Sequence, residues 1–376
     1  MKLKDKLALL NFSDSQKRLF KILGIVLGAF ILLIIIISII KGCSSGKMSY
    51  EQLENNMVRA AENYVKDEPT VIKDEVFGTT TITVDTLVSK KYMKEMSKYL
   101  GKGTTCTGSV LVYKNLDDLT YMPKLDCGDA YKANSISEYI RNNTEVVTTG
   151  SGLYKNNDSY YYRGEYVDNY VKYSDKVWRI ISIDKDGYIK LIETESNSYS
   201  IWDDRYNSNY GYVAGINDFE GVEASRIKDS ILNAYNDKEI ITKDARKLIV
   251  PDQYCVGKRS MEDTTKDGST ECSKKTELMG AGGLTIYEYM AASLDSGCKN
   301  IKSKECTNYN FLAKFGGIFW TITANAANTG EAYAISSKVQ PLQTASSYPI
   351  KLVVKVNGNI NYKDGTGTET DPYIIK

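Results

Sequence analysis

The run Ile22–Ile40, ILGIVLGAFILLIIIISII, constrains this chain more than any other stretch, because not one of its residues carries a charge. As a helix it would be about 28 Å long, enough for the hydrocarbon core of a bilayer. Lys2, Lys4, Lys6, Lys17, Arg18 and Lys21 precede it against Asp5 and Asp14, whereas only Lys41 and Lys47 follow closely. The positive-inside bias then predicts a cell-membrane protein with a cytoplasmic N-terminus: a tail over 1–21, a single transmembrane helix over 22–40, and residues 41–376 outside the cytoplasm. The run is too long for a cleaved signal peptide, and no small-x-small site follows it.

Gly42-Cys43-Ser44-Ser45-Gly46 is similar to the start of bacterial lipoproteins, but Lys41 stands where a small or apolar residue belongs. An uncleaved anchor is therefore the expectation and lipidation of Cys43 the alternative. Gly24-x-x-x-Gly28 has the spacing that lets two spans pack, a pattern common in membrane helices generally.

The chain contains no histidine. That removes Ser-His-Asp and Cys-His catalysis, histidine-ligated zinc and a histidine general base. No metal ligand set and no cofactor motif is legible, and no catalytic residue is assigned. The formal charge is +1 over 376 residues, and without the basic tail 1–21 the remainder is net negative, so no basic patch of the nucleic-acid kind is implied. The length after residue 41 is sufficient for two cored units.

Ser49 and Gln52 form a capping box ahead of Leu53, Met57, Ala60, Ala61, Tyr64 and Val65, which repeat at helical spacing until Pro69. A strand over Thr79–Val84 leads to Asp85, a cap for a short second helix. Thr107–Tyr113 and Leu119–Asp126 read as a hairpin turning at Asn115–Asp118. Cys106 and Cys127 are equidistant from its centre and so face each other across the ladder, within disulfide reach. Cys255–Cys272 and Cys298–Cys306 are the pairs that close the shortest loops among the remaining cysteines. Residues 48–133 are expected to form a small α+β stalk module.

Between 134 and 170 the composition shifts to Asn, Ser, Gly and Tyr, which suggests a linker or entry loop that presents tyrosines or lies over the next sheet. A second domain is expected over 171–376. Lys176–Ile183, KVWRIISI, is largely apolar on both faces and reads as a central strand. Asp184-Lys185-Asp186-Gly187 reads as a turn; it lacks the further ligands of a calcium loop. Ser225–Tyr235 and Leu284–Leu294 read as helices, the second capped by Thr285 with Glu288 three residues on. Phe319–Thr323 reads as a strand. Asn357-Gly358 between Ile350–Val356 and Asn359–Tyr362 is a two-residue hairpin signal.

Gly152-Leu153-Tyr154, Tyr162-Arg163-Gly164, Val177-Trp178-Arg179-Ile180-Ile181, Gly283-Leu284-Thr285, Phe319-Trp320-Thr321, Tyr348-Pro349-Ile350 and Gly365-Thr366-Gly367-Thr368 occur in this order. The series resembles uncharacterised exported, membrane-anchored proteins of Gram-positive bacteria. Their C-terminal domain is similar to the C-type-lectin-like fold, in the version shared with formylglycine-generating enzymes. The resemblance implies an α+β architecture: an N-terminal transmembrane helix, a small α+β module, then a C-type-lectin-like head. The calcium signatures of lectins are absent, and Trp202-Asp203-Asp204 is no match for them. The paired active-site cysteines of formylglycine generation have no counterpart either.

The expected function is accordingly binding: a membrane-tethered surface protein, on a single span, whose head recognises a glycan, a cell-wall component or a surface protein. Tyr199, Trp202, Tyr206, Tyr210 and Tyr212, set among Asn, Ser, Asp and Gly, are the candidate binding residues, since aromatic faces stack on sugars and partner side chains. The same aromatics would equally serve as packing around the Trp178 strand. An envelope spacer without a soluble ligand is one alternative. A carboxylate-based hydrolase using Asp203-Asp204 or Glu193 with Glu195 is another.

Overall fold

The structure, a computed structural model, describes residues 47–375 except 74, 76, 102, 116–117, 197, 206–214 and 222–224. Helix Tyr50–Asp67 begins at Ser49, where the side chain accepts from the Gln52 N–H and Gln52 reaches back to the Ser49 N–H. Its Leu53, Met57 and Ala61 are fully buried against a three-stranded antiparallel sheet. That sheet places Thr107–Asn115 between Thr79–Thr83 and Asp118–Asp126. The hairpin register runs from Thr107 opposite Asp126 to Asn115 opposite Asp118. One step further out, Cys106 and Cys127 are bonded with their Cα atoms 4.2 Å apart. The short helix Val84–Ser89 is capped by Thr83, whose hydroxyl accepts from the Thr86 N–H, and Asp85 falls inside its first turn.

Residues 134–170 take up more structure than a linker would. Ser135 and Glu138 form a capping box that starts helix Ile136–Asn143. Gly152–Asn156 and Ser159–Arg163 then make a hairpin. It joins a nine-stranded sheet whose main path runs Gly282–Gly283, Leu352–Val356, Ile189–Glu193, Lys176–Ile183, Tyr170–Tyr173, Tyr373–Ile375 and Tyr362–Asp364. Lys176–Ile183 is central, as its two apolar faces require. One edge pairs with Ile189–Glu193, and the other is shared by Tyr170–Tyr173 and, at Ser182 and Ile183, by the hairpin.

Asn357-Gly358 does not turn a hairpin. Leu352–Val356 already has Ile189–Glu193 on one edge and Gly282–Gly283 on the other, so no edge is left for the following residues. Tyr362–Asp364 instead pairs with Tyr373–Ile375, which lies parallel to Tyr170–Tyr173. The Gly358 position leaves no room for a side chain, because a Cβ would lie 2.1 Å from the Gly187 carbonyl oxygen.

The larger core collects Trp178, Trp202, Trp320, Tyr289 and Tyr333, all essentially inaccessible, under helices Arg226–Asn236 and Ile286–Ala292 and a second antiparallel sheet, Phe319–Ala324, Glu331–Ile335 and Val339–Gln343. Tyr113 and Met122 of the N-terminal hairpin also enter this core. The hydroxyl of Tyr113 and the side-chain amide of Asn115 donate to the Ile249 carbonyl, and Lys124 donates to that of Asn359.

Two expectations are corrected by these findings. The described residues form a mixed α+β fold dominated by strands, and that description replaces the expected membrane helix, stalk and C-type-lectin-like head. Among them no helix is long and apolar enough to cross a membrane. The helix Tyr50–Asp67 has the length but is amphipathic, with Glu51, Arg59, Glu62 and Lys66 exposed. The single-pass, cell-membrane placement is therefore not supported. The tail 1–21, the run Ile22–Ile40 and Cys43, on which it rested, lie outside the described residues.

Candidate functional site

The sheet, helix Ile286–Ala292 and the loop 262–273 enclose a cleft of about 660 Å³. Strand alternation puts Tyr161 and Arg163 on one face of the hairpin. The ladder between Lys176–Ile183 and Ile189–Glu193 shifts register between Ile180 and Ser182, and both Ile181 and Ser182 line the cleft. Lys190 comes from the next strand, and Tyr287 and Glu288 come from the first turn of the helix.

Glu288 is held from three sides. One carboxylate oxygen accepts from the Thr285 N–H at 3.0 Å and its hydroxyl at 2.7 Å, completing the capping box, and the other takes the Lys190 ammonium at 2.7 Å. Burial works against the charge on Lys190, but Glu288 outweighs it and holds the pKa well above the usual lysine value. Tyr287, beside the Glu288 carboxylate and largely buried, is pushed up to about 12 and stays a neutral phenol.

The loop over the cleft is fixed by chemistry on its far side. Cys255–Cys272 ties its end. Arg259 and Glu271, both fully buried, form a bidentate pair at 2.8 and 3.0 Å. Arg259 also donates to the carbonyls of Asp263 and Thr265, and Glu271 accepts from the Tyr287 N–H at 3.0 Å. Loop and helix are thus joined at one carboxylate. Gly268 sits directly over the Tyr287 ring at φ 85°, where a Cβ would meet ring carbons at 3.1 Å. Backbone conformation and space both favour glycine there.

Asp263 closes the loop on itself, accepting from the Thr265 N–H and the Thr270 hydroxyl. Burial opposes its charge, but the Thr265 and Thr270 hydrogen bonds and Arg259 prevail and hold its pKa to about 2, below the ordinary 3.8. The folded-state value is depressed, so this contribution is complete above about pH 4 and is lost as the pH falls through about 2. The protection of amides 263–271, referred to the intrinsic exchange rate at each pH, is expected to be unchanged from pH 7 to 5 and to fall between pH 4 and 2. Asp263→Asn should remove that acid step, and an unchanged profile in the variant would contradict the assignment.

Among the groups on the cleft wall with unused hydrogen-bonding capacity are two tyrosine hydroxyls and one ammonium. Among the described residues, the hydroxyls of Tyr161 and Tyr287 and the ammonium of Lys266 make no hydrogen bond to the protein, and Lys266 makes no ion pair. Burial, then the neighbouring Arg163, lowers the pKa of Lys266.

The sequence-predicted residues fall elsewhere in part. Trp202 is core: it is inaccessible, its indole N–H donates to the Thr321 carbonyl at 2.9 Å, and Phe219 packs edge-on against it. It is withdrawn as a ligand contact for that reason. Tyr199 is 66% exposed and lines a separate, shallower cavity of about 650 Å³ with Phe315, Tyr348 and Lys351. Tyr206, Tyr210 and Tyr212 lie outside the described residues. Of the Tyr-rich stretch, Tyr161 and Tyr162 reach the cleft. Asp203 and Asp204 are engaged by Arg205 and Arg226, and Glu193 accepts from the Leu352 N–H. Asp184 accepts from the N–H groups of Asp186 and Tyr188, the work of a turn rather than of a calcium site. The cysteines pair as expected, with Cys298–Cys306 the third bond. Lys190, Lys266 and Tyr287 carried no local signal in the sequence.

No protein family, no curated protein and no solved structure matches this chain. The three disulfides among the described residues fit an extracellular protein, where thiols oxidise and stay oxidised.

Proposed function

We propose that this is an extracellular binding protein whose cleft takes a saccharide. The observation that carries the reading is the pair of tyrosines, Tyr161 and Tyr287, lining one preformed cleft with hydroxyls that no group among the described residues uses. Tyrosine offers a flat apolar ring for the C–H face of a sugar and a hydroxyl for its rim. The loop above is held by a disulfide and a buried ion pair, so little ordering cost attaches to ligand entry. A volume of about 660 Å³ suits one or two sugar rings.

A glycan array probed with the full chain tests this. The wild type is expected to bind a subset of saccharides, and Tyr161→Ala to weaken them by about tenfold or more with an unchanged melting temperature. Tyr199→Ala, in the shallower cavity, should leave binding intact. Absence of glycan binding would refute the reading, and loss on Tyr199→Ala alone would move the site to the other cavity.

A further inference from the structure

We infer that the cleft selects saccharides bearing a carboxylate, with the Lys266 ammonium as the seat of the anion. The inference rests on the saccharide reading above and goes further by fixing the charge of the ligand. Arg163, Lys190 and Lys266 all line the cleft, against Glu288 and Asp267. Two of these five are already matched to each other, Lys190 and Glu288 at 2.7 Å. Arg163 spends its Nε and one Nη on the carbonyls of Ala291 and Ser293, at the end of helix Ile286–Ala292, both at 2.8 Å.

Asp267 turns to its own loop, accepting from the N–H of Ser269 at 2.9 Å and its hydroxyl at 2.6 Å. Asp295, the acid whose charge favours the Lys266 ammonium, is itself held by the Asn308 amide and the Gly297 N–H. Lys266 is thus a half-buried cation beside a second cation, with no ion pair or hydrogen bond among the described residues. Removing a charge from water without a partner is unfavourable, and Arg163 adds repulsion. An anion entering the cleft relieves both effects at once. A carboxylate on a sugar ring satisfies Lys266 while the ring lies against Tyr161 or Tyr287, with the remaining Lys190 donors available to its hydroxyls.

The test is an array of matched pairs, each a saccharide with a carboxylate (uronic acid, lactyl ether or sialic acid type) and its neutral counterpart, probed with the full chain. The carboxylated member is expected to bind about tenfold more tightly. Lys266→Gln should abolish that preference, so that carboxylated and neutral members bind alike, and Lys266→Arg, which keeps the charge, should retain it. Equal binding of both members by the wild type overturns the carboxylate inference and leaves the saccharide reading standing. No binding to any member overturns both. A preference that survives Lys266→Gln, in a variant of unchanged melting temperature, overturns the assignment to Lys266.

Discussion

Replacing Trp202 with alanine is expected to destabilise the protein by about 3–5 kcal/mol, the range for removing a large aromatic side chain from a packed core. The side chain has no exposed surface, packs edge-on to Phe219 at 6.1 Å between ring centroids, and satisfies the Thr321 carbonyl through its indole N–H. Deletion leaves a cavity and also strips a buried carbonyl of its donor, so two costs add. Trp202→Phe retains most of the volume and loses the hydrogen bond, and should fall well short of the alanine variant. Urea unfolding of the three forms measures this. If Trp202→Ala unfolds at the wild-type midpoint, Trp202 is not the core residue described here.

The second large effect is expected at Arg259. Arg259→Met should cost about 3–5 kcal/mol, because it leaves the Glu271 carboxylate buried without its counter-charge, with the Tyr287 N–H as its remaining donor. The same change frees the carbonyls of Asp263 and Thr265, which Arg259 holds at 3.1 and 2.8 Å, so the loop over the cleft should loosen with it. Glu271→Leu in the Arg259→Met background removes the orphaned charge, and much of the stability should return. Saccharide binding should not return, since the Tyr287 N–H has lost its acceptor and the loop its link to the helix. A double-mutant cycle on stability, run beside binding on the array, separates the two consequences. Additive stability effects would show that the pair is not coupled.

Local features of this fold were legible because their physics is local. The capping boxes at Ser49 and Thr285 are encoded within four residues, and helices start at both. The hairpin centre between residues 116 and 117 fixed the facing of Cys106 and Cys127 by symmetry. The largely apolar strand Lys176–Ile183 is central for the reason its composition suggests.

What the sequence hid depends on partners far along the chain. Asn357-Gly358 is a strong turn signal, but strand edges already occupied by Gly282–Gly283 and Ile189–Glu193 override it. Trp202 stands among polar residues, which leaves exposure and packing equally open in the sequence, and its ring points into a core that includes Phe219 and Thr321. The stretch 134–170 reads as a linker because Asn, Ser, Gly and Tyr dominate it, yet its scattered Ile136, Ile140, Leu153 and Val167 enter the core together with the ring of Tyr162. The cleft itself gathers Tyr161, Lys190, Lys266 and Tyr287 from four separate elements, and no window of the sequence contains the set.

Amide hydrogen exchange of the full chain, with and without the tightest saccharide from the array, tests the central claim most directly. Residues 159–163, 265–268 and 286–292, which surround the cleft, are expected to gain protection together, with residues 315–319 and 347–351 around Tyr199 unchanged. Protection confined to the segments around Tyr199, or no protection at the cleft at saturating ligand, would contradict it.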